Sequence, residues 1–439
     1  MHKKKWFKFY FHSEHSGSWA LALLIISTLV LTQCKKPLAK TYFVDFESGL
    51  DKHSGISKDL AWKRCPGMKG FKGSYRHEAG DRFIFKGGSI WPAEVLPFNI
   101  ESSGTEGNRD VYTTDHAWYR GSAWSQPTFT GQHYLTQLLV ANKQNFFTLN
   151  ELKFIDYGTS GIENGGKAID IHACSHYTIQ LCTIAPQAWI GMYIHSYSGS
   201  TETEIVIDSN NISASGQAIV LAVEAPNTRM SKVTISNNAI HDLSSQIVGA
   251  THGDGIHTWN SVQNDHTQFI SDLAITGNHF YGDFSCGDAG KASMSALIYL
   301  TDPGRDALIS GNQLSYTKTT HFSSLIWVRY FDSVTVANNT LSLDTAQGGI
   351  GIIIGQGEIG KSVIIKNNNI SGAKYCYYIY DDASPTIRID NNKCETIGPT
   401  VAYWNLVGKT WKEWQGLGND IRGAYSNSSP KSARELGGP

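Results

Sequence analysis

Charge is scarce in this chain. Of its 439 residues 17% are Asp, Glu, Lys or Arg, and the signs cancel to a net charge of -1. A balance this close to zero excludes the one-signed field that recruits nucleic acid or an anionic membrane. The seven cysteines include no CxxC pairing, so no zinc site is expected. The apolar run Trp19 to Val30 is too short to span a bilayer. A helical stripe at i, i+3, i+4 is missing as well, which turns the reading toward strands.

Gly (43), Tyr (20) and Trp (12) are plentiful, as suits a turn-rich β protein with an aromatic surface. Against that background one phrase returns: a β-branched run, then Asn or Asn-Asn, then another apolar residue. It reads Ile205-Val206-Ile207-Asp208-Ser209-Asn210-Asn211-Ile212 and Val233-Thr234-Ile235-Ser236-Asn237-Asn238-Ala239-Ile240, and recurs at Asn278, Asn312, Asn338-Asn339, Asn367-Asn368 and Asn391-Asn392. Recurrence at roughly 24 to 40 residues marks a solenoid, whose coils bury their apolar faces only against their neighbours. Short Val/Ile/Thr runs with period-two alternation make each unit a set of strands. Asn tolerates a left-handed backbone at the sharp turn, and stacked Asn side chains can hydrogen-bond from coil to coil. The fold class is therefore all-β, a parallel β-helix. A β-sandwich with Asn-rich turns fits less well, because it does not need the same turn chemistry at every repeat. A solenoid grows along one axis, so residues 41–405 can be one domain, followed by a C-terminal segment over 406–439.

Residues 1–40 read as export signal and tether. Lys3-Lys4-Lys5 precede the apolar h-region, and Leu31-Thr32-Gln33-Cys34 resembles a bacterial lipoprotein signal in which the Cys is lipidated. Gln33 departs from the small residue usual before that Cys. The expectation is export, with the chain secreted or held at a bacterial envelope through a lipid on Cys34. Six cysteines remain: Cys65, Cys174, Cys182, Cys286, Cys376 and Cys394. Cys174 with Cys182, or Cys376 with Cys394, could be bridged if their coils face each other, and free buried thiols are equally compatible.

Two flanking segments carry a family resemblance. Thr41-Tyr42-Phe43-Val44-Asp45, Ser54-Gly55, Ala61-Trp62-Lys63 and Gly80-Asp81-Arg82-Phe83-Ile84-Phe85-Lys86-Gly87-Gly88 resemble the opening of secreted right-handed β-helix proteins of the pectate lyase superfamily. Trp411-Lys412-Glu413-Trp414-Gln415 with Gly418 and Asp420 resembles the closing segment of the same group. The resemblance implies a right-handed helix and a carbohydrate ligand. It leaves the chemistry among polysaccharide lyases, glycoside hydrolases, epimerases and inactive binders.

The Asn phrase serves as a ruler for the strand that follows it. The aligned rungs are Ala168 to His172, Gly191 to His195, Ala218 to Ala222, Gly255 to Trp259, Leu297 to Thr301, Leu325 to Arg329, Gly351 to Gly355 and Cys376 to Tyr380. Positions two and four are apolar and face the core, so positions three and five face outward. One outward column is Asp170, Tyr193, Val220, His257, Tyr299, Trp327, Ile353, Tyr378; its neighbour is His172, His195, Ala222, Trp259, Thr301, Arg329, Gly355, Tyr380. Aromatic faces stack on sugar rings while imidazole, phenol and guanidinium groups bond hydroxyls and carboxylates. The face reads as a polysaccharide groove, unless long loops such as those over 260–269 and 281–295 cover it.

Thr251-His252-Gly253-Asp254-Gly255-Ile256-His257-Thr258-Trp259 concentrates titratable and stacking groups, with two glycines permitting close backbone approach. Asp254 can also be a structural turn-former and His257 a plain surface histidine. Eliminative cleavage of a uronic-acid polymer needs a base, an acid and a cation on the carboxylate. His257 is assigned as base, Tyr299 or His195 as acid or relay, and Arg329 as carboxylate partner, with Lys291 a second cation. His252 and Asp254 complete the centre. Tyr193, His195, Glu224, Trp259, Asp302, Arg305, Trp327, Tyr378 and Tyr380 are candidate substrate contacts. Hydrolysis would instead use Asp254 with Glu224 or Asp302. The Asn-Thr-Asp and Asp-Asp pattern associated with polygalacturonases of this fold is absent, as are the clustered acids of calcium-dependent pectate lyases. Asp381-Asp382 is an isolated pair. No cofactor is called for, calcium stays open, and a monomer is expected. A non-catalytic surface glycan binder is the remaining alternative.

Overall fold

The computed structural model describes residues 38–133, 137–157, 166–196, 199–243, 252–261, 267–284, 294–301, 303–319, 324–343, 349–355, 362–380 and 387–428. The export segment with Cys34, and Thr251, Cys286, Lys291, Asp302 and Asp381-Asp382, lie outside the described residues.

All but two of the described strands form three twelve-stranded sheets whose neighbours are, almost throughout, equivalent strands of successive coils. Pairing is parallel from coil to coil, so the chain is a right-handed parallel β-helix. Each coil runs from a strand of the first sheet (such as Thr201–Asp208) through a tight turn to a short third-sheet strand (Asn211–Ile212), then to a second-sheet strand (Ser215–Val223). The register of the second sheet is the one the Asn ruler gives. Asp170 pairs with Tyr193, Tyr193 with Val220, Val220 with His257, His257 with Tyr299, Tyr299 with Trp327, Trp327 with Ile353 and Ile353 with Tyr378. Inward residues such as Met192, Ile219, Ile256, Ile298, Ile326 and Ile352 stack into one continuous apolar core.

The two residues of the Asn phrase divide the labour. The first sits in the left-handed region: Ser209 (φ 55°), Asn237 (54°), Gly277 (65°), Gly311 (67°), Asn338 (58°), Asn367 (58°) and Asn391 (60°). The second is buried and builds a ladder. The Nδ2 of Asn210 donates to Oδ1 of Asn238 (3.0 Å), and Asn238 likewise to Asn278 (2.9 Å), Asn278 to Asn312 (3.0 Å), Asn312 to Asn339 (3.0 Å), Asn339 to Asn368 (2.9 Å) and Asn368 to Asn392 (2.9 Å). Asn392 donates to Asp420 (2.8 Å), whose second oxygen accepts the Trp414 indole N–H. An Asp fits the last rung because nothing beyond it needs a donor.

Parallel pairing continues past residue 405: Ala424–Asn427 is the final strand of the third sheet. Between them the helix Trp411–Gly416, closed by a Thr410/Glu413 capping box, seats the buried Trp414 against Tyr377 and Trp404. Cys376 and Cys394 form a disulfide, while Cys65, Cys174 and Cys182 are free and buried. Among the described residues no helix is long and apolar enough to cross a membrane.

Candidate active site

The outward columns of the second sheet are more enclosed than a bare sheet face. Tyr193, His195, Val220, Ala222, His257, Tyr299 and Ile353 are all buried, and Ile190, Tyr193, Val220 and Ala222 form a separate apolar cluster with Trp189. Trp327, Arg329, Tyr378 and Tyr380 are half-buried, and Trp259 is 37% exposed. The face therefore divides into two polar clusters separated by the Val220 rung, with an accessible aromatic run toward the C-terminal end.

The first cluster is built on His195. Its Nε2 lies 2.5 Å from Asp170 Oδ1 and its Nδ1 2.9 Å from Glu224 Oε2, while the Tyr193 hydroxyl donates to the other oxygen of Glu224. Gln137 donates to Asp170 at 2.5 Å, and His172 stacks on His195 at 4.8 Å. Lys167 Nζ sits 3.7 Å from the centre of the Tyr193 ring. Burial opposes a charge on His195 more than any single group favours it, yet carboxylates on both nitrogens together raise its pKa. His172 is shifted the other way, by burial and then by the charge of His195.

The second cluster is built on Asp254, a fully buried carboxylate. Its Oδ2 lies 2.8 Å from His252 Nδ1, 3.0 Å from Gln217 Nε2 and 3.4 Å from His257 Nδ1, and its Oδ1 accepts the Ala296 N–H at 3.3 Å. His257 has partners on both ring nitrogens: Gln217 Nε2 at 3.2 Å on Nδ1 and Thr301 Oγ1 at 3.3 Å on Nε2. Since Thr301 gives its own proton to Thr258 O, the arrangement fits a neutral ring that accepts at Nδ1 and donates from Nε2. Burial, countered by Asp254 and reinforced by the His252 charge, pushes the His257 pKa down to about 4. Despite its distance to Asp254, His257 is neutral at neutral pH. For His252 the balance runs the other way: Asp254 raises its pKa above the usual histidine value against the effect of burial.

Tyr299 stacks on His257 (5.3 Å, 13°), meets His252 edge-on (5.8 Å) and packs on Trp327 (4.9 Å). Arg329 brings Nη1 to 3.5 Å from the Tyr299 hydroxyl and lies over Tyr330 at 5.1 Å. The residues assigned from sequence as the centre, His252, Asp254, His257, Tyr299 and Arg329, thus stand together. Tyr193, His195 and Glu224 share the first cluster, so Glu224 and Asp254 belong to different networks. Trp259, Trp327, Tyr378 and Tyr380 line the columns, with Tyr378 stacked on Tyr403 at 5.3 Å. Arg305 is not on this face: it stands on the first-sheet strand Gly304–Ser310.

Gln217 escapes the sequence reading. Strict alternation would place it with the inward residues, but positions one and two of each rung both face the core, as Leu297 with Ile298 and Leu325 with Ile326 show. The residue before them is thereby turned outward, creating a third column that contains Lys167, Ile190, Gln217 and Asp254. At two of these bends close contact requires glycine: a Cβ on Gly255 would lie 2.3 Å from Leu297 O, and one on Gly191 2.7 Å from Ala218 O. Among the described residues no group of three or more His, Cys, Asp or Glu is arranged to hold a metal ion.

No protein-family model matches the chain, and no curated protein matches it. Among solved structures, a GH136 lacto-N-biosidase from Eubacterium ramulus, as its selenomethionine derivative, is similar over 94% of this chain and 70% of its own, at 11% identity and a TM-score of 0.52. The fold is shared. A rhamnogalacturonan lyase covers 89% of this chain and 87% of its own at 12% identity (TM-score 0.36), and an alginate lyase from a Paenibacillus species 74% and 89% at 12% (TM-score 0.30). Identity this low in the first structure speaks for the β-helix fold alone, and the other two superpose too loosely to add to it.

Proposed function

We propose that the chain is a carbohydrate-active enzyme that cleaves a uronic-acid-containing glycan by β-elimination on the outer face of the second sheet. The observation that carries this reading is the meeting of a guanidinium, a phenol and a carboxylate-backed imidazole around Tyr299. Arg329 would hold the substrate carboxylate, and the charge it neutralises is the charge that builds as the C5 proton leaves. His252 would take that proton. The electrons close a C4–C5 double bond, the C4–O bond breaks, and Tyr299 supplies the proton to the leaving oxygen. His257, first assigned as base from the sequence, suits a supporting role better, because both of its nitrogens are spent inside the protein. His252 has Nδ1 on Asp254 and turns Nε2 away from it, the arrangement that makes an imidazole a competent base.

The likeness to a lacto-N-biosidase agrees with a glycan ligand and does not choose the reaction. Hydrolysis is the second reading, favoured by one feature: Asp170 and Glu224 flank His195 as an enclosed carboxylate pair. Incubation with uronic-acid and neutral polysaccharides separates the readings. Ultraviolet absorbance from an unsaturated product signals elimination, new reducing ends without absorbance signal hydrolysis, and neither signals a binder. A His252→Ala variant that eliminates at the full wild-type rate would remove the proposed base.

A further inference from the structure

Outside the groove, two guanidinium groups share one phenyl ring. Arg229 and Phe269 are register partners on adjacent coils of the first sheet, and Arg305 stands one coil further on, paired with Ser271. The Arg229 Cζ lies 4.8 Å and the Arg305 Cζ 4.6 Å from the centre of the Phe269 ring. Both arginines are exposed and Phe269 is half-buried. The two charged side chains spring from strands two coil spacings apart, roughly 10 Å along the helix axis.

Two like charges gathered on one ring repel each other, and the ring quadrupole offsets only part of that. The nearby acids offset the pair only in part. Arg229 makes no ion pair among the described residues, and Arg305 only approaches its own neighbour Asp306, at 3.9 Å with both side chains more than half exposed. Asp332, the register partner of Arg305 on the next coil, is half-buried. Glu202, on the same sheet, is buried. The planar forks of the two guanidinium groups are thus left facing solvent.

We propose that Arg229, Phe269 and Arg305 form a second glycan site that takes oxyanions, carboxylate or sulfate, on separate sugar units of one chain, with the phenyl ring beneath the sugar between them. This rests on the anionic-glycan reading above and adds an attachment point outside the reaction centre. Arg229 follows Glu224 by five residues and Arg305 follows Thr301 by four. The site therefore stands at the corner where the groove sheet passes into the first sheet. It runs parallel to the groove, where a second strand or a branch of the polymer would lie.

The test compares wild type with the Arg229→Ala/Arg305→Ala double variant in affinity electrophoresis against polygalacturonate, a sulfated galactan and neutral dextran, at low and high salt. The expected result is a loss of about tenfold or more in affinity for a charged polymer, with a flatter salt dependence and no change for dextran. Loss confined to polygalacturonate assigns the site to carboxylate, and loss confined to the galactan to sulfate. Phe269→Leu keeps both charges and should give a smaller loss of the same kind. Unchanged affinity for both charged polymers overturns the proposal, as does an equal loss for dextran. Absorbance on a uronate trisaccharide is read separately and should be the same in the double variant and wild type. Failure of the elimination reading is thus distinguishable from failure of this site.

Discussion

Asn338 and Asn339 are adjacent and chemically identical, yet truncating them to Ala should have very different consequences. Asn339 is buried; its Oδ1 accepts the backbone N–H and the Nδ2 of Asn312 (both 3.0 Å), and its Nδ2 donates to Ile309 O (3.0 Å) and Asn368 Oδ1 (2.9 Å). Asn339→Ala removes all four bonds. It strands the Asn312 N–H, one Asn312 amide hydrogen and the Ile309 carbonyl in a dry interior. With three buried groups left unsatisfied, each costing at least about 1 kcal/mol, the loss should be about 3 kcal/mol or more. Asn338 is exposed and holds φ at 58°, and its side chain makes one long bond, 3.4 Å to Ser310 Oγ. Asn338→Ala forces an ordinary side chain into the left-handed region for about 1 kcal/mol, and Asn338→Gly should be close to neutral. Asn339→Asp keeps an acceptor but loses the donor, so it should rescue little. Urea unfolding followed by tryptophan fluorescence measures all four variants. If Asn338→Ala and Asn339→Ala shift the midpoint equally, the division between a turn residue and a ladder residue is wrong.

The other predictions concern pH, the polar hub and the disulfide. Because His257 is neutral when folded with its pKa pushed down to about 4, the unfolded chain binds the extra proton between pH 6.5 and 4. Stability should therefore fall by about 3 kcal/mol as pH drops through that window, and His257→Gln should flatten the fall; an unchanged slope would discount the shift. His195 and His252 have raised values, so their contribution is complete below about pH 6.5 and is lost as pH rises through their folded pKa values. Gln217→Met, which keeps volume and removes the amide shared by Asp254 and His257, should alter the histidine titrations seen by NMR and lower activity about tenfold or more. Replacing Cys376 and Cys394 together by Ser should lower stability by about 2–4 kcal/mol in oxidising buffer, since the bridge closes a separation of 18 residues. The same variant compared with wild type in reducing buffer should differ far less.

Repeat chemistry made the architecture legible. From Asn210 onward an Asn at a fixed place before each second-sheet strand marks the turn, and alternation beyond it separates Ile219 from Val220 and Ile298 from Tyr299 without any structure. The left-handed kinks in the first sheet carry no such mark. Glu204, Lys232, Asp272, Asp306 and Ser333 all hold φ between 51° and 58°, although none is Gly or Asn. Coil-to-coil register imposes that conformation against an intrinsic preference of about 1 kcal/mol, and propensity alone cannot reveal it.

The same limit applies at the site. Alternation found His257, Tyr299 and Arg329 because they lie beyond the bend in each rung. It could not find Gln217, because two successive core residues, Ala218 and Ile219, reset the count. That reset also changes the chemistry inferred. Without the third column Asp254 looks like a turn-former beside a free histidine. With it, Asp254 and Gln217 close around His257, occupy its Nδ1 side, and leave His252 as the imidazole whose second nitrogen has no hydrogen-bond partner among the described residues. A single break in the period-two pattern thus decides which of two histidines five residues apart can move a proton to or from a ligand.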